Sequence, residues 1–247
     1  MRGAIAFEWT KLWSVRSTWW SLAAAGLLTA AASVVVGMSA FASAENGFDT
    51  ARPAPHAVAD ALMVAQLAVV VLATLAVTGE YASGSIRTTL QSVPVRWRLL
   101  LGKAAVAAAV AAALGVLLGI LGTACAAPVM REYGEFTAAD AAVAAAGAGG
   151  YLAALALLST GIGTMLRSAA GAITGLVLLQ LAVPQLLRAI GARWLESVAD
   201  HLPSSAGVVL ITRDHEPYGA GIAIAVLLAW SVAALAAGYV VLRARDA

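Results

Sequence analysis

Long apolar segments dominate the sequence and constrain its fold more than any other feature. Six of them occupy residues 19–41, 58–78, 103–127, 139–166, 169–187 and 218–242. Each is long enough to cross a bilayer as a helix, which requires about 20 apolar residues. Charged side chains occur only at their ends, as Asp60, Lys103 and Asp140. Because no segment alternates between apolar and polar residues as a membrane β-strand does, the sequence predicts an all-α integral membrane protein with six transmembrane helices.

The composition supports this class and excludes others. Hydrophobic residues make up 62% of the 247 residues and charged residues 11%, whereas soluble domains contain about 45–50% and about 25%. A water-soluble globule would lack polar surface, and a disordered chain would not be this apolar. Six spans use roughly half of the chain, so we expect no separate soluble catalytic domain of ordinary size. The single cysteine, Cys125, cannot form an internal disulfide.

The loops differ in charge, which predicts how the chain lies in the membrane. The N-terminus, the loop after the second segment, the hairpin at Arg167 and the C-terminal tail carry ten basic and three acidic residues. The remaining loops carry five basic and ten acidic residues. Basic residues stay on the cytoplasmic side, so we expect a multi-pass protein of the plasma membrane with both termini in the cytoplasm. Four residues are expected to anchor the third segment at this surface by snorkelling: Arg96, Trp97, Arg98 and Lys103.

Small residues are frequent within the segments. Gly115-x-x-x-Gly119 and Gly171-x-x-x-Gly175 have the spacing that lets two membrane helices approach closely. In a chain this rich in alanine and glycine, a bias in composition explains the same pattern. Both interpretations stay open at the level of the sequence.

Residues 1–18 are distinct from the domain that follows, which we take as residues 19–247. Four apolar residues at positions i, i+4, i+7 and i+8 share one helical face: Ile5, Trp9, Leu12 and Trp13. This predicts an amphipathic helix on the inner membrane surface, with its tryptophans at the depth of the lipid headgroups. The helix is either a plain surface anchor or an elbow that passes motion from a cytoplasmic partner to the first span.

The loop between the second and third segments contains another short amphipathic stretch. Ser85 can cap the start of a helix, and Pro94 ends it. Between them, Ile86, Leu90 and Val93 form an apolar stripe at helical spacing. The pattern predicts about two turns of helix, which are marginal in water unless they pack against something. The partner is either the protein's own membrane face or a separate protein that pushes on the helix.

Signatures of catalysis and of energy coupling are missing from the sequence. A phosphate-binding loop needs Gly-x-x-x-x-Gly-Lys-Ser/Thr. The Gly-Lys pair at residues 102–103 is preceded by Trp97 where the first glycine is required and followed by Ala104 where Ser or Thr is required. The histidines fall in the outer loops, as His56, His201 and His215, so none is placed to activate an intramembrane nucleophile. No ionisable residue lies within the six segments, as a proton-coupled carrier usually requires. We expect no enzyme activity, cofactor, metal site or nucleic-acid binding in this chain, and energy from a separate ATPase.

Three strings of residues keep a set order relative to the six segments. Residues 8–18 read Glu-Trp-Thr-Lys-Leu-Trp-Ser-x-Arg-Ser-Thr, residues 80–90 read Glu-x-x-x-Gly-Ser-Ile-Arg-Thr-Thr-Leu, and residues 202–207 read Leu-Pro-Ser-Ser-Ala-Gly. Together with Pro94 and Lys103, they resemble the permease subunits of type-2 ABC transporters in their short six-span actinobacterial form. The resemblance covers nearly the whole chain.

The resemblance implies a role for each part. The leader is expected to be the elbow helix, with Trp9, Leu12 and Trp13. A coupling helix that docks on the ATPase is expected from the following residues: Ser85, Ile86, Arg87, Thr89 and Leu90. Glu80 is expected to orient this helix through a basic neighbour. Residues 189–200 and 204–211 are expected to form short outer re-entrant helices before the last span.

The resemblance also implies partners. These are a separate ATP-binding subunit that carries ATP and Mg, a second permease copy that is identical or related, and membrane lipid. The substrate path is expected between the two copies, and by position alone its candidate residues are Gln66, Gln180 and Gln185. Buried amides more often form hydrogen bonds between helices, and Pro184 either kinks or ends the fifth span.

The sequence therefore favours a permease subunit of an ATP-driven exporter with apolar or amphiphilic cargo. Two other classes stay open: a non-transport membrane assembly or sensor protein, and an ion-coupled secondary carrier.

Overall fold

Helices form the entire regular structure of the part of the chain described by the computed structural model, which is residues 2–48, 52–92, 95–214 and 216–244. In chain order they are α1 (Arg2–Ser14), α2 (Arg16–Glu45), α3 (Ala57–Ala82), α4 (Ile86–Ser92), α5 (Arg96–Met130), α6 (Ala138–Leu166), α7 (Ala169–Val177), α8 (Val183–Ala189), α9 (Arg193–Asp200), α10 (Pro203–Thr212) and α11 (Ala220–Ala244). Short 3-10 turns precede α3 and follow α5, at Ala54–His56 and Arg131–Gly134.

Six helical stretches are long and apolar enough to cross a membrane. They are α2, α3 with its preceding turn, α5 with its following turn, α6, the α7–α8 unit and α11. The prediction of a multi-pass, all-α membrane protein is confirmed at this level. Beyond these spans, the predicted short helices correspond to α1, α4, α9 and α10.

Two of the helices extend beyond the apolar segments that predicted them. α3 continues to Ala82 and therefore contains Glu80, whereas the apolar segment stops at residue 78. α5 begins at Arg96, so Lys103 lies two turns inside the helix. An α-helix continues as long as its backbone hydrogen bonds are satisfied, and hydropathy alone does not mark where it stops.

Close backbone contacts through glycine organise the centre of the bundle around α6. A Cβ atom added at Gly115 of α5 would lie 2.5 Å from the carbonyl oxygen of Ala148, and one added at Gly161 of α6 would lie 2.4 Å from the carbonyl carbon of Ala234. Gly119 likewise packs on Ala145. Close packing is thus correct for the first glycine pair, whereas Gly175 of the second pair has open space.

The fifth span is interrupted by a single π-helical turn, Leu178–Ala182, between α7 and α8. Pro184 explains the interruption, because its ring has no N–H and collides with the carbonyl of the residue four positions earlier, Gln180. Widening the turn to π geometry relieves this collision. The sequence left open whether Pro184 kinks or ends the span. The structure shows that the helix continues past it to Ala189.

The two short helices after the fifth span differ in burial. α10 lies inside the bundle, where Gly207 contacts the ring of Tyr151 and the main chain at Leu210 contacts Gly147. α9 lies on the surface with Trp194 exposed. That both helices dip into a membrane remains a prediction.

Candidate functional site

A cluster of four charged side chains joins three helices at the end of the bundle that carries α1 and α4. The Nζ atom of Lys103 on α5 donates to Glu8 Oε1 of α1 at 2.6 Å and to Glu80 Oε1 of α3 at 2.7 Å. Lys11 on α1 donates to the same Glu80 oxygen and to the Ala76 carbonyl at 3.4 Å. We call Glu8, Lys11, Glu80 and Lys103 the charge cluster.

Most of the charge cluster is shielded from solvent. The side chains of Lys103, Glu8 and Glu80 are 6%, 7% and 2% exposed, and that of Lys11 is 31% exposed. Two carboxylates and two ammonium groups balance, which is what permits burial of charge. The expectation that Lys103 snorkels to the surface is therefore wrong, because two buried carboxylates within hydrogen-bonding distance hold its ammonium group inside.

α4 lies beside this cluster and is separated from α3 by residues 83–85. Ile86 is 5% exposed and lines a small internal cavity with Leu99, Leu100 and Leu242. Thr89 is also buried, and its side chain donates to the Ser85 carbonyl at 3.1 Å. The protein's own spans are thus one partner of α4, as the sequence allowed.

Two predicted coupling residues fall partly outside the described part of the chain. The backbone of Arg87 and Leu90 belongs to α4, but their side chains lie outside the described residues. On α4, Thr88 and Gln91 are exposed. They mark a surface of α4 that is available to a separate protein.

The predicted elbow residues of α1 do not share one environment. Ile5 and Trp9 are exposed, whereas Leu12 lines a cavity of about 350 Å³ between α1, α3 and α5 that also reaches the charge cluster. The ring of Trp13 packs against the rings of Trp9 and Trp19, with distances between ring centroids of 5.6 Å and 5.1 Å. On this helix the charged Glu8 faces the bundle while the apolar Trp9 faces away.

At the end of the bundle that carries the charge cluster, hydrogen bonds also join α5 to α11. Arg96, at the start of α5, donates to the carbonyl oxygens of Leu242 at 2.6 Å and Arg243 at 2.9 Å, at the end of α11. A guanidinium group at this position satisfies carbonyls that no helical amide reaches. It links the third span to the sixth.

A buried polar network crosses the middle of the bundle. Tyr151 of α6 donates its hydroxyl to Gln66 Oε1 of α3, and Gln180 Nε2 donates to Tyr151 Oη at 3.0 Å and to Gln66 Oε1 at 3.4 Å. Gln66 and Gln180 are 0% and 2% exposed. Gln66 and Gln180 thus form hydrogen bonds between helices, which is one of the two roles considered for these amides. Gln180 and Gln185, but not Gln66, also line a cavity at the opposite end of the bundle from the charge cluster.

Ion pairs and hydrogen bonds hold the loops at that opposite end. Arg188 contacts the Asp200 carboxylate at 3.2 Å and the Ser205 hydroxyl at 3.0 Å. Tyr218 donates its hydroxyl to the Asp200 carbonyl. Burial raises the pKa of Tyr218, the nearby Asp200 carboxylate raises it further, and the Arg188 guanidinium offsets part of this rise.

Four residues of the charge cluster and the polar network were not predicted as site residues: Glu8, Lys11, Lys103 and Tyr151. One signal was present for Glu8, which is one of three acids, with Glu80 and Asp246, on the side assigned ten basic residues. An acid kept among so many bases often has a dedicated partner. Tyr151 carried a weaker signal as a hydroxyl-bearing ring in an otherwise alanine-rich span.

The contacts described above join helices to one another and pair opposite charges. Among the described residues, no group of three or more His, Cys, Asp or Glu side chains could hold a metal ion. No known protein family matches the chain by sequence, and no curated protein is significantly similar to it. The geometry of the charge cluster is therefore the main guide to function.

Proposed function

We propose that the chain is the membrane-spanning permease subunit of an ATP-driven ABC transporter, acting as an exporter. Its energy would come from a separate ATP-binding subunit, because the sequence has no phosphate-binding loop. The single observation that carries the proposal is the charge cluster. It ties the elbow helix α1 to α3 and α5 at the point where α4 begins.

The charge cluster supports coupling because it joins three helices through one ammonium group. Lys103 bonds simultaneously to α1 and α3 and is itself part of α5, so a displacement of one helix is passed to the other two. Ile86 and Thr89 attach α4 to the same region. A protein that pushes on α4 would thus move the inner ends of the second and third spans together with the elbow.

A second copy of the chain is part of the proposal. The least covered spans are α11, α2 and the α7–α8 unit, which are 17%, 22% and 22% buried within one chain, compared with 61% for α6. A dimer that pairs α2 with the α7–α8 unit would place two of these three spans around a shared path. In a Cys125→Ala background, Gly175→Cys on the open face of α7 is expected to form a disulfide-linked dimer on mild oxidation, and Ala148→Cys in the buried core is not.

Co-expression with the proposed ATP-binding subunit tests the coupling. We expect a stable complex whose ATP hydrolysis is impaired or uncoupled by Arg87→Glu or Leu90→Asp in α4. Arg98→Glu is the matched control, because it makes the same change of charge at an exposed residue outside α4. If no ATPase associates, the proposed function fails. If the complex forms and Arg87→Glu behaves like Arg98→Glu, while Leu90→Asp leaves hydrolysis intact, only the role of α4 is wrong.

One observation favours a second candidate, an ion-coupled carrier. Glu80 is buried within α3, and its Oε2 atom has no hydrogen-bond partner among the described residues. Intramembrane carboxylates are common proton carriers. Efflux of ethidium, a fluorescent amphiphilic cation, distinguishes the candidates. Efflux that stops on ATP depletion but survives a protonophore supports the ABC proposal. Efflux that survives ATP depletion, stops with a protonophore and is lost in Glu80→Gln supports the carrier.

A further inference from the structure

The cavity at the end of the bundle opposite the charge cluster encloses about 470 Å³. This volume lies within the range of about 300–1,000 Å³ that small-molecule sites occupy. The fifth span forms one side and α10 the other, and Met63 of α3 closes part of it. All the lining residues belong to one chain, so the cavity exists without a second copy.

Two buried polar atoms among the lining residues lack partners. Gln180 and Ser204 are 2% and 3% exposed, and neither Gln180 Oε1 nor Ser204 Oγ has a hydrogen-bond partner among the described residues. An unsatisfied buried polar group costs about 1–3 kcal/mol. Both atoms are buried behind the wall of one cavity, so a ligand in the cavity would complete their hydrogen bonding once the side chains that cover them rotate.

The polar network fixes which atom Gln180 offers to a ligand. Its Nε2 atom already donates to Tyr151 and Gln66, and the Tyr151 proton is used on Gln66. Reversing the amide would bring its carbonyl against the Tyr151 oxygen, which has no proton left to give. The unpaired atom of Gln180 is therefore an acceptor, and a ligand that reaches it has to supply the donor.

Charge and hydrophobicity narrow the ligand further. Arg188 and Asp200 of the lining compensate each other at 3.2 Å, which leaves Glu216 as a further carboxylate in the lining. This net negative charge favours cations over anions. Pro184, Val208 and other apolar side chains supply the remaining walls.

We infer that this cavity binds a small amphiphilic primary amine, whose N–H groups donate to Gln180 Oε1 and Ser204 Oγ while its hydrocarbon part packs on the apolar walls. The inference goes beyond the proposed transport function and does not depend on an ATPase. It concerns purified protein, so its test is separate from every test of coupling.

Protection of an introduced cysteine measures binding. The reporter is Val208→Cys in a Cys125→Ala background, and the matched control is Ser197→Cys, an exposed position on α9 outside the cavity lining. In nanodiscs, both are modified with methyl methanethiosulfonate in the presence of hexylammonium. Labelling of Val208→Cys is expected to slow about threefold at twice the Kd, because the free fraction is 1/(1 + [L]/Kd). Ser197→Cys is expected to be unaffected.

Two related probes separate hydrogen bonding from charge. Hexyltrimethylammonium has the same charge but no N–H group and is expected to protect less well. Hexanoate carries the opposite charge and is expected not to protect. The inference is overturned if hexylammonium gives no protection up to about 10 mM, a generous limit for a ligand with so few atoms. It is equally overturned if all three probes protect alike.

Variants assign the donor contacts. Gln180→Leu is expected to remove the advantage of hexylammonium over hexyltrimethylammonium. Because that change also disturbs Tyr151 and Gln66, Ser204→Ala provides a gentler test, which removes one hydroxyl and is expected to weaken the advantage. An unchanged preference in Ser204→Ala and in any folded Gln180→Leu protein would refute the assignment of the binding atoms.

Discussion

Replacing Lys103 with methionine tests the charge cluster directly. Methionine matches the length of the lysine stem but removes the ammonium group that bonds to Glu8 and Glu80. Breaking a buried ion pair by removing one partner costs about 3–5 kcal/mol. The full range applies because these three side chains are at most 7% exposed, so solvent screening is small. Lys11 retains contact with Glu80, whereas Glu8 loses its described ion-pair partner.

For a chain of this size, about 1 kcal/mol corresponds to about 2–4 °C in Tm. Lys103→Met is therefore expected to lower the Tm by about 6–20 °C, measured by tryptophan fluorescence during heating in a mild detergent. Arg98→Met is the matched control, since it removes an exposed positive charge from the same helix. Its effect is expected to stay within about 0.5 kcal/mol.

A second substitution checks the electrostatic reasoning. Glu8→Gln added to Lys103→Met leaves Glu80 and Lys11 as a balanced pair, so at least about half of the lost stability is expected to return. The reasoning is refuted if Lys103→Met is no worse than Arg98→Met. It is also refuted if Glu8→Gln deepens the loss, because then the side chains matter for packing and not for charge.

Three further substitutions, the first with a matched control, have expected outcomes from the same structure. Gly115→Ala is expected to destabilise the bundle by about 1–3 kcal/mol through overpacking, while Gly175→Ala, in open space, leaves the Tm unchanged. Tyr151→Phe removes the hydroxyl that joins two amides and is expected to cost about 1–2 kcal/mol, and a neutral result in chemical denaturation would contradict the network. Arg96→Ala releases two carbonyls at the end of α11, so amide hydrogen exchange there is expected to rise about tenfold, as for loss of a bond to a charged group, with no change in α6.

The spans could be predicted from sequence because they depend on local information. A membrane core excludes unsatisfied backbone groups, so a run of apolar residues implies a helix of known length. The short helix α4 was also predictable, since Ser85 and the stripe beginning at Ile86 lie close together in the chain. Its end was harder, and residues 93–94, which include the predicted stop at Pro94, lie outside the described residues.

The charge cluster and the polar network could not be predicted, because both depend on partners far apart in sequence. Lys103 and Glu8 are separated by 95 residues, and Tyr151 and Gln66 by 85. Near a span end, a lysine at the headgroup surface and a lysine inside the bundle have the same local sequence. Only the packing of α1 against α5 distinguishes them. The two glycine pairs also could not be distinguished from sequence. Gly115 and Gly175 both belong to Gly-x-x-x-Gly pairs, but Gly115 packs closely against α6 and Gly175 has open space.

The order of residues in the charge cluster has a consequence for how the protein is made. Both carboxylates leave the ribosome before Lys103, by 95 residues for Glu8 and 23 for Glu80. During that interval the only ammonium group of the cluster already made is that of Lys11 on the leader. The leader can therefore contact α3 through Lys11 and Glu80 first, and its bond to α5 forms only once Lys103 has been made. Synthesis of Lys103 thus completes the set of charges that joins α1, α3 and α5.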